Sequence, residues 1–222
     1  MKKYEFTGEI KTDIFGRTIH RIKALIEIKF PWATVEVGAL GGWIEKEDNL
    51  SHDGNAWVYG DAEVFGNARV YDDAEVYGNA EVSGNTWVYG NVEVCGNARV
   101  YGNAEVFGNA KVFGNTRVYG DAEVYGDVEV SGNATVSGDM CACNTDCYLV
   151  MGPMGSRNAF VTFGRNKSGE IKIRCGCFFG NVEEFLAKVE QTHGDNKHAL
   201  AYRAAVQVAL EQIDTTPIKE GE

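Results

Sequence analysis

Proline is nearly absent from this chain of 222 residues: there are 3. With 44% hydrophobic residues, that scarcity excludes a proline-rich linker and leaves enough apolar material for one or two packed domains. Positive charge is also short, 21 Lys and Arg against 32 Asp and Glu, for a net charge of −11. Gripping nucleic acid by its phosphates takes a basic face, so direct nucleic-acid binding is not expected, while basic protein partners stay open. Long apolar runs are missing too. No stretch reaches the roughly 18 residues of a membrane span, and Lys2 and Lys3 are not followed by the apolar run of a signal peptide. The expectation is a cytoplasmic protein with no membrane association, its six cysteines reduced rather than joined in a disulfide framework.

Glycine is plentiful, 27 residues, and a repeat explains it. From Gly54 to Ser137 run fourteen six-residue units without interruption, of the form Gly, Asn or Asp, small residue, any residue, Val, aromatic or small residue. The fifth place is always Val; the first is Gly except at Asp72. Alternate residues of a strand share a side, so the small residue and the Val point inward and the fourth and sixth residues outward. Gly-Asn and Gly-Asp tolerate positive φ and turn the chain between short strands. A six-residue segment cannot bury its Val alone, but three can form one coil of a solenoid with the next stacked on it.

At three units per coil the repeat makes about 4.7 coils, and outward residues recur every 18 positions. One face carries Trp57, Glu75, Glu93, Lys111 and Glu129; a second carries Glu63, Glu81, Arg99, Arg117 and Thr135. The third carries Arg69, Trp87, Glu105 and Glu123 beside Tyr71, Tyr89, Phe107 and Tyr125, and has an aromatic residue in every unit. A stripe of Tyr71, Trp87, Tyr89, Phe107 and Tyr125 is either an interaction surface, first of all with another copy of the chain, or a ladder of mutually stacked rings.

Val58 with Ala62, Val64 with Ala68 and Val100 with Ala104 resemble the hexapeptide-repeat, left-handed parallel β-helix proteins, and that resemblance implies the handedness. Many such proteins are acyltransferases that use a histidine as base. Here His20, His52, His193 and His198 all lie outside the regular units, so catalysis is not expected; an acyl- or nucleotidyl-transferase-like enzyme and a self-assembling scaffold are the alternatives. The segments GGWIEKEDNLSHDGNAWVYG and SRNAFVTF, CGCFFG and THGDN resemble phage and prophage proteins without a defined function.

Residues 1–53 lack the repeat and read as a β cap. Strands are expected at Tyr4–Thr7 and Thr18–Ile28, with a turn at Phe15–Arg17, and at Thr34–Val37, ended by Gly41-Gly42. Asp48–Asp53 reads as a decayed unit with Leu50 in the small-residue slot. The rod is expected over 54–143 and a small α/β domain over 144–222. That domain has strands at Cys147–Met151, Ala159–Phe163 and Ile171–Cys175 and a hairpin at Asn166–Gly169. Its first helix is capped by Asn181 with Glu184 and ends at Gly194; the second, from Lys197 to Ile213, is followed by a loose tail. The fold class is mainly β.

Cys141, Cys143, Cys147, Cys175 and Cys177 raise a metal, but their C-x-C spacing departs from that of zinc pairs. Buried thiols are the first expectation, with Cys175 and Cys177 on the aliphatic face of Ile171 and Ile173, and no metal or cofactor is expected. The turn around Ser156 and Arg157 offers a weak anion site without the Gly-Lys-Ser/Thr ending of a nucleotide loop. The fourteen units hold twelve acids and four bases, which suits solubility or a basic host protein gripped by Glu75, Glu93 and Glu129. The expected function is non-catalytic binding by a homo-oligomer. It would interfere with a host defence protein or sequester a small nucleotide at a subunit or domain junction, with Arg157 and the outward aromatics as charge and stacking groups.

Overall fold

The computed structural model describes residues 1–13 and 16–218. The inward Ala and Val of every hexapeptide are buried in one continuous core, and the two-residue strands stack in parallel at the expected 18-residue offset. Glu63, Glu81 and Arg99 align, as do Arg69, Trp87 and Glu105, and Trp57, Glu75 and Glu93. Each coil donates to the next: Glu81 N to Ala98 O at 2.9 Å, Ser83 N to Val100 O at 2.8 Å. The result is a parallel β-solenoid of about six turns. Thr86 and Thr116 take the small slot by returning their hydroxyls to the backbone carbonyls of Ser83 and Phe113.

The turn slot does more than turn. Asn67, Asn85 and Asn103 donate side-chain amides down one corner in succession, at 3.1, 2.9 and 3.0 Å, and the series ends at Asp121. Another corner runs from Asn91 through Asn109 to Asp127. A carboxylate accepts but cannot donate onward, so Asp fits the last rung of a ladder.

The stack is longer than the repeat. Leu40–Ile44 runs parallel to the rod, pairing Ile44 with Val64, and Leu50 bridges to Val70. Leu50 therefore occupies a valine slot, not the small-residue slot expected of it, and this first turn spans 20 residues. Gly41-Gly42 does not end a strand; it lies inside one. A Cβ on Gly41 would sit 2.6 Å from Ile22 and one on Gly42 2.7 Å from the Ala62 carbonyl, so the pair lets the cap lie flat on the core. Thr18–Ala24 and Tyr4–Thr12 then extend the same sheet antiparallel. Thr34–Val35 pairs separately with Ile28–Lys29. Phe15 of the expected turn lies outside the described residues.

At the other end Cys141–Ala142 continues a second sheet, and Ala159–Arg165 joins it antiparallel through Arg165 opposite Cys141. Tyr148–Met154, Ile171–Cys175 and Phe178–Asn181 complete the C-terminal strands; the last of these was not anticipated. Helix α1 (Val182–His193) has the expected capping box of Asn181 and Glu184, and Gly194 closes it. Helix α2 (Lys197–Gln212) buries Tyr202, Val206 and Ala209. Phe185 and Val189 of α1 join those residues on Val161, Phe163 and Ile173 in a second core. Among the described residues no helix is long and apolar enough to cross a membrane.

Three expectations for this end need correction. Cys143 and Cys147 are joined in a disulfide, because Asn144 caps a short turn, Thr145–Cys147, that brings their Cα atoms to 6.0 Å. Cys177 does not share the face of Ile171 and Ile173, since the strand stops at Cys175 and Cys177 is exposed. The tail is tied as far as Ile218: the buried Arg165 guanidinium donates to the Thr216 carbonyl at 2.6 Å and the Asp214 carbonyl at 3.1 Å. Residues 219–222 lie outside the described residues.

A parallel stack leaves open carbonyl and N–H groups at both its first and its last turn, and open edges recruit other strands. Here the first end meets donors. The Lys3 ammonium donates to Ala56 O at 2.8 Å and Gly54 O at 3.3 Å, and the Asn49 amide to Ala68 O at 2.8 Å and Gly66 O at 3.2 Å. The last end meets both an acceptor and a donor: the Thr162 hydroxyl takes the Thr135 N–H at 2.9 Å, and the Tyr148 hydroxyl donates to the Glu129 carbonyl.

Candidate binding clefts on the rod and the C-terminal domain

The third face carries the stripe that the repeat predicts. Tyr71, Tyr89, Phe107 and Tyr125 stack face to face at centroid separations of 4.9, 5.1 and 4.8 Å with planes within 7°. The rings are half-buried and turn their edges outward, so within the stripe their faces are satisfied by one another. Stacking thus accounts for the aromatic in every unit without a partner. Side-by-side assembly through this face predicts that Tyr89→Lys combined with Phe107→Lys lowers the solution mass. An unchanged mass, measured by light scattering, leaves the rings as a ladder alone.

The ladder has an open end. Ser51 donates its N–H to Val70 O, which puts it in the position that a ring above Tyr71 would occupy. The outer face of Tyr71 therefore looks into a cleft of about 600 Å³, with Leu50, Ser51 and His52 on one side and Arg69 and Trp87 on the other. Trp87 stands edge-on to Tyr71 at 6.2 Å, with its indole 45% exposed. The Arg69 guanidinium lies 6.0 Å from the Trp87 ring and forms no salt bridge among the described residues. Burial pushes the Tyr71 phenol up to about 12, which keeps it a neutral donor at pH 7. Glu47 and Asp48 form the rim, with Glu47 neutralised by Lys2 at 2.6 Å.

His52 is committed to the cap. Its Nδ1 accepts from the Lys3 N–H at 3.2 Å, its ring stacks on Tyr4 at 4.3 Å, and its Nε2 is buried without a partner. Desolvation holds its pKa below the usual range, so the ring is neutral.

Ser156 and Arg157 lie elsewhere, exposed on the turn after Gly155. That turn needs glycine, since a Cβ on Gly155 would collide with the Tyr202 hydroxyl. Both residues line a pocket of about 230 Å³ with Phe178, Lys188, Thr192 and Tyr202. Within one chain Arg157 and the outward aromatics do not meet: the two clefts share no residue. Lys188 and Thr192, which sequence reasoning missed, were legible only as helix surface.

The acidic grip is also altered. Glu75 is buried at 3% exposure, held by the Tyr59 hydroxyl at 2.6 Å, with Trp32 in the loop beside it. Glu93 accepts from Tyr77 at 2.8 Å and pairs with Lys111 at 2.9 Å. Of Glu75, Glu93 and Glu129, only Glu129 is an exposed carboxylate. Among the described residues no three His, Cys, Asp or Glu side chains are grouped to hold a metal ion. Compared with protein-family models and with curated proteins, the chain matches none.

Proposed function

We propose that this chain is a non-catalytic binding protein, wound left-handed as the hexapeptide resemblance implies, that takes up a small nucleotide at the open end of its aromatic ladder. The observation that carries the reading is the free face of Tyr71 at the bottom of a cleft that also holds Arg69 and Trp87. A nucleobase laid on Tyr71 continues a stack whose rungs are already 4.8–5.1 Å apart, and base-on-aromatic stacking is worth about 1–3 kcal/mol. Arg69 supplies an uncompensated cation for a phosphate, and Asp48 an acceptor for an exocyclic amine. His52, with one nitrogen bonded and the other buried, supports capture rather than base catalysis. The phage or prophage setting that the flanking segments resemble gives such capture a purpose, the withdrawal of a host signal.

Tryptophan fluorescence titrated with AMP and with GMP tests the reading. Saturable quenching is expected from at least one of them. Ser51→Phe, which supplies the missing ring, is expected to weaken it by about tenfold or more, about 1.4 kcal/mol, without lowering the thermal midpoint. No saturable quenching by either nucleotide, or undiminished affinity in Ser51→Phe, refutes it.

A further inference from the structure

In a chain of net charge −11, the pocket of the C-terminal domain is lined by cations and by no carboxylate. Arg157, Lys188 and His193 are its ionisable members apart from thiol and phenol groups. Neither Arg157 nor Lys188 forms a salt bridge among the described residues, and Lys188 only donates to Gln191 at 3.0 Å. The arrangement is held from both sides. Arg157 comes from the turn that Tyr202 packs against, and its guanidinium lies 3.7 Å from where a Cβ on Gly176 would stand. Lys188 comes from α1, with Thr192 one turn on. Below them the floor is apolar, formed by Phe178, Phe185 and Val189.

Exposed cations without ion-pair partners and the exposed hydroxyls of Ser156 and Thr192, in one pocket with the buried Phe185 and Val189, make a site with donors outside and an apolar seat within. We infer that this pocket binds a small organic phosphate monoester, with the phosphate between Arg157 and Lys188 and an apolar body of ring size on the floor. A phosphate offers more acceptor oxygens than a carboxylate to this set of donors, and the cations match its two charges. The site is independent of the cleft at Tyr71.

Calorimetric titration of the full chain with phenyl phosphate, benzoate and inorganic phosphate tests the inference. Phenyl phosphate is expected to bind saturably in the millimolar range or tighter and to weaken as salt is raised. Measured in a Tyr71→Ala background, which removes the ring of the other cleft, Arg157→Gln is expected to lose at least about tenfold in affinity with an unchanged thermal midpoint, and Lys188→Gln to lose severalfold. The inference is overturned if phenyl phosphate does not saturate, or if Arg157→Gln binds it equally well. Equal binding of benzoate overturns the assignment of a phosphate, and equal binding of inorganic phosphate overturns the role of the apolar floor. Absence of phenyl phosphate binding in the Tyr71→Ala background overturns the inference by moving the probe to the other cleft.

Discussion

Replacing Lys3 with Met is expected to cost about 2–4 kcal/mol at neutral pH and to remove a rise in stability between pH 8 and pH 9.5. The ammonium is fully buried and donates to the Ala56 and Gly54 carbonyls, which no earlier coil can reach. Met fills the space but leaves both carbonyls unpaired out of water, and each such loss costs about 1–3 kcal/mol. Relief from burying a charge offsets part of this. The pH dependence has a definite sign. Desolvation lowers the Lys3 pKa from 10.5 to about 8, so between those values the unfolded chain holds more proton than the folded one. Stability therefore rises as pH passes upward through 8, by at most about 1.4 kcal/mol per unit. Above pH 10 the trend reverses, because burial raises the phenols of Tyr4 and Tyr59 and their ionisation favours the unfolded chain. Urea midpoints at pH 7.5 and 9.5 decide the matter: parallel shifts in the native chain and Lys3→Met would rule Lys3 out as the titrating group. The uncovered carbonyls are also expected to make the variant associate end to end, visible in sedimentation.

How Lys3 escaped sequence reasoning shows where legibility stops. The registers of Val64, Val82 and Val100, and of Tyr71, Tyr89 and Phe107, follow from counting by 18, because a repeat turns chain distance into space. Ile44 and Leu50 belong to the same stack, but an offset of 20 hides them, and a lysine in the third position of a chain carries no sign of burial. Glu75 reads like every other outward acid; its burial depends on the loop at Phe30–Trp32, which has no periodicity. Capping of α1 by Asn181 was readable because its hydrogen bonds are local. Arg157 was readable as a candidate but not as a neighbour of Lys188, since only the packing of α1 and α2 on the C-terminal sheet brings them together. One residue type also has two uses of unequal legibility. Asn in the turn slot is recognisable for its tolerance of a tight bend, whereas its amide ladder requires the next coil to be in place.

Gly102→Ala is expected to cost about 2–4 kcal/mol and Gly132→Ala about 1–2 kcal/mol, although both occupy the same slot of the repeat. Gly102 has φ +84° and Gly132 φ +70°, so each alanine must adopt the left-handed conformation at similar expense. Their surroundings differ. A Cβ on Gly102 would lie 2.8 Å from the Gly120 nitrogen and 3.2 Å from its oxygen, while one on Gly132 meets nothing within 4 Å because no coil follows it at that corner. Backbone cannot swing aside as a side chain can, so the first substitution must also push neighbouring coils apart and stretch bonds such as Asn103 N to Gly120 O, now 2.8 Å. Asp72 is the chain's own precedent for a side chain in this slot, at φ +58°. Asp is among the residues that tolerate that region, and its carboxylate accepts from the Gly90 N–H at 3.3 Å in the coil that follows, a return that alanine cannot make. Urea unfolding of the two variants, with comparable m-values as the condition for comparing midpoints, separates the terms. Equal losses would mean that conformational strain alone selects glycine here; a larger loss at Gly102 means that the glycines of the repeat with a coil close behind them, all thirteen but Gly60 and Gly132, are also kept by that closeness.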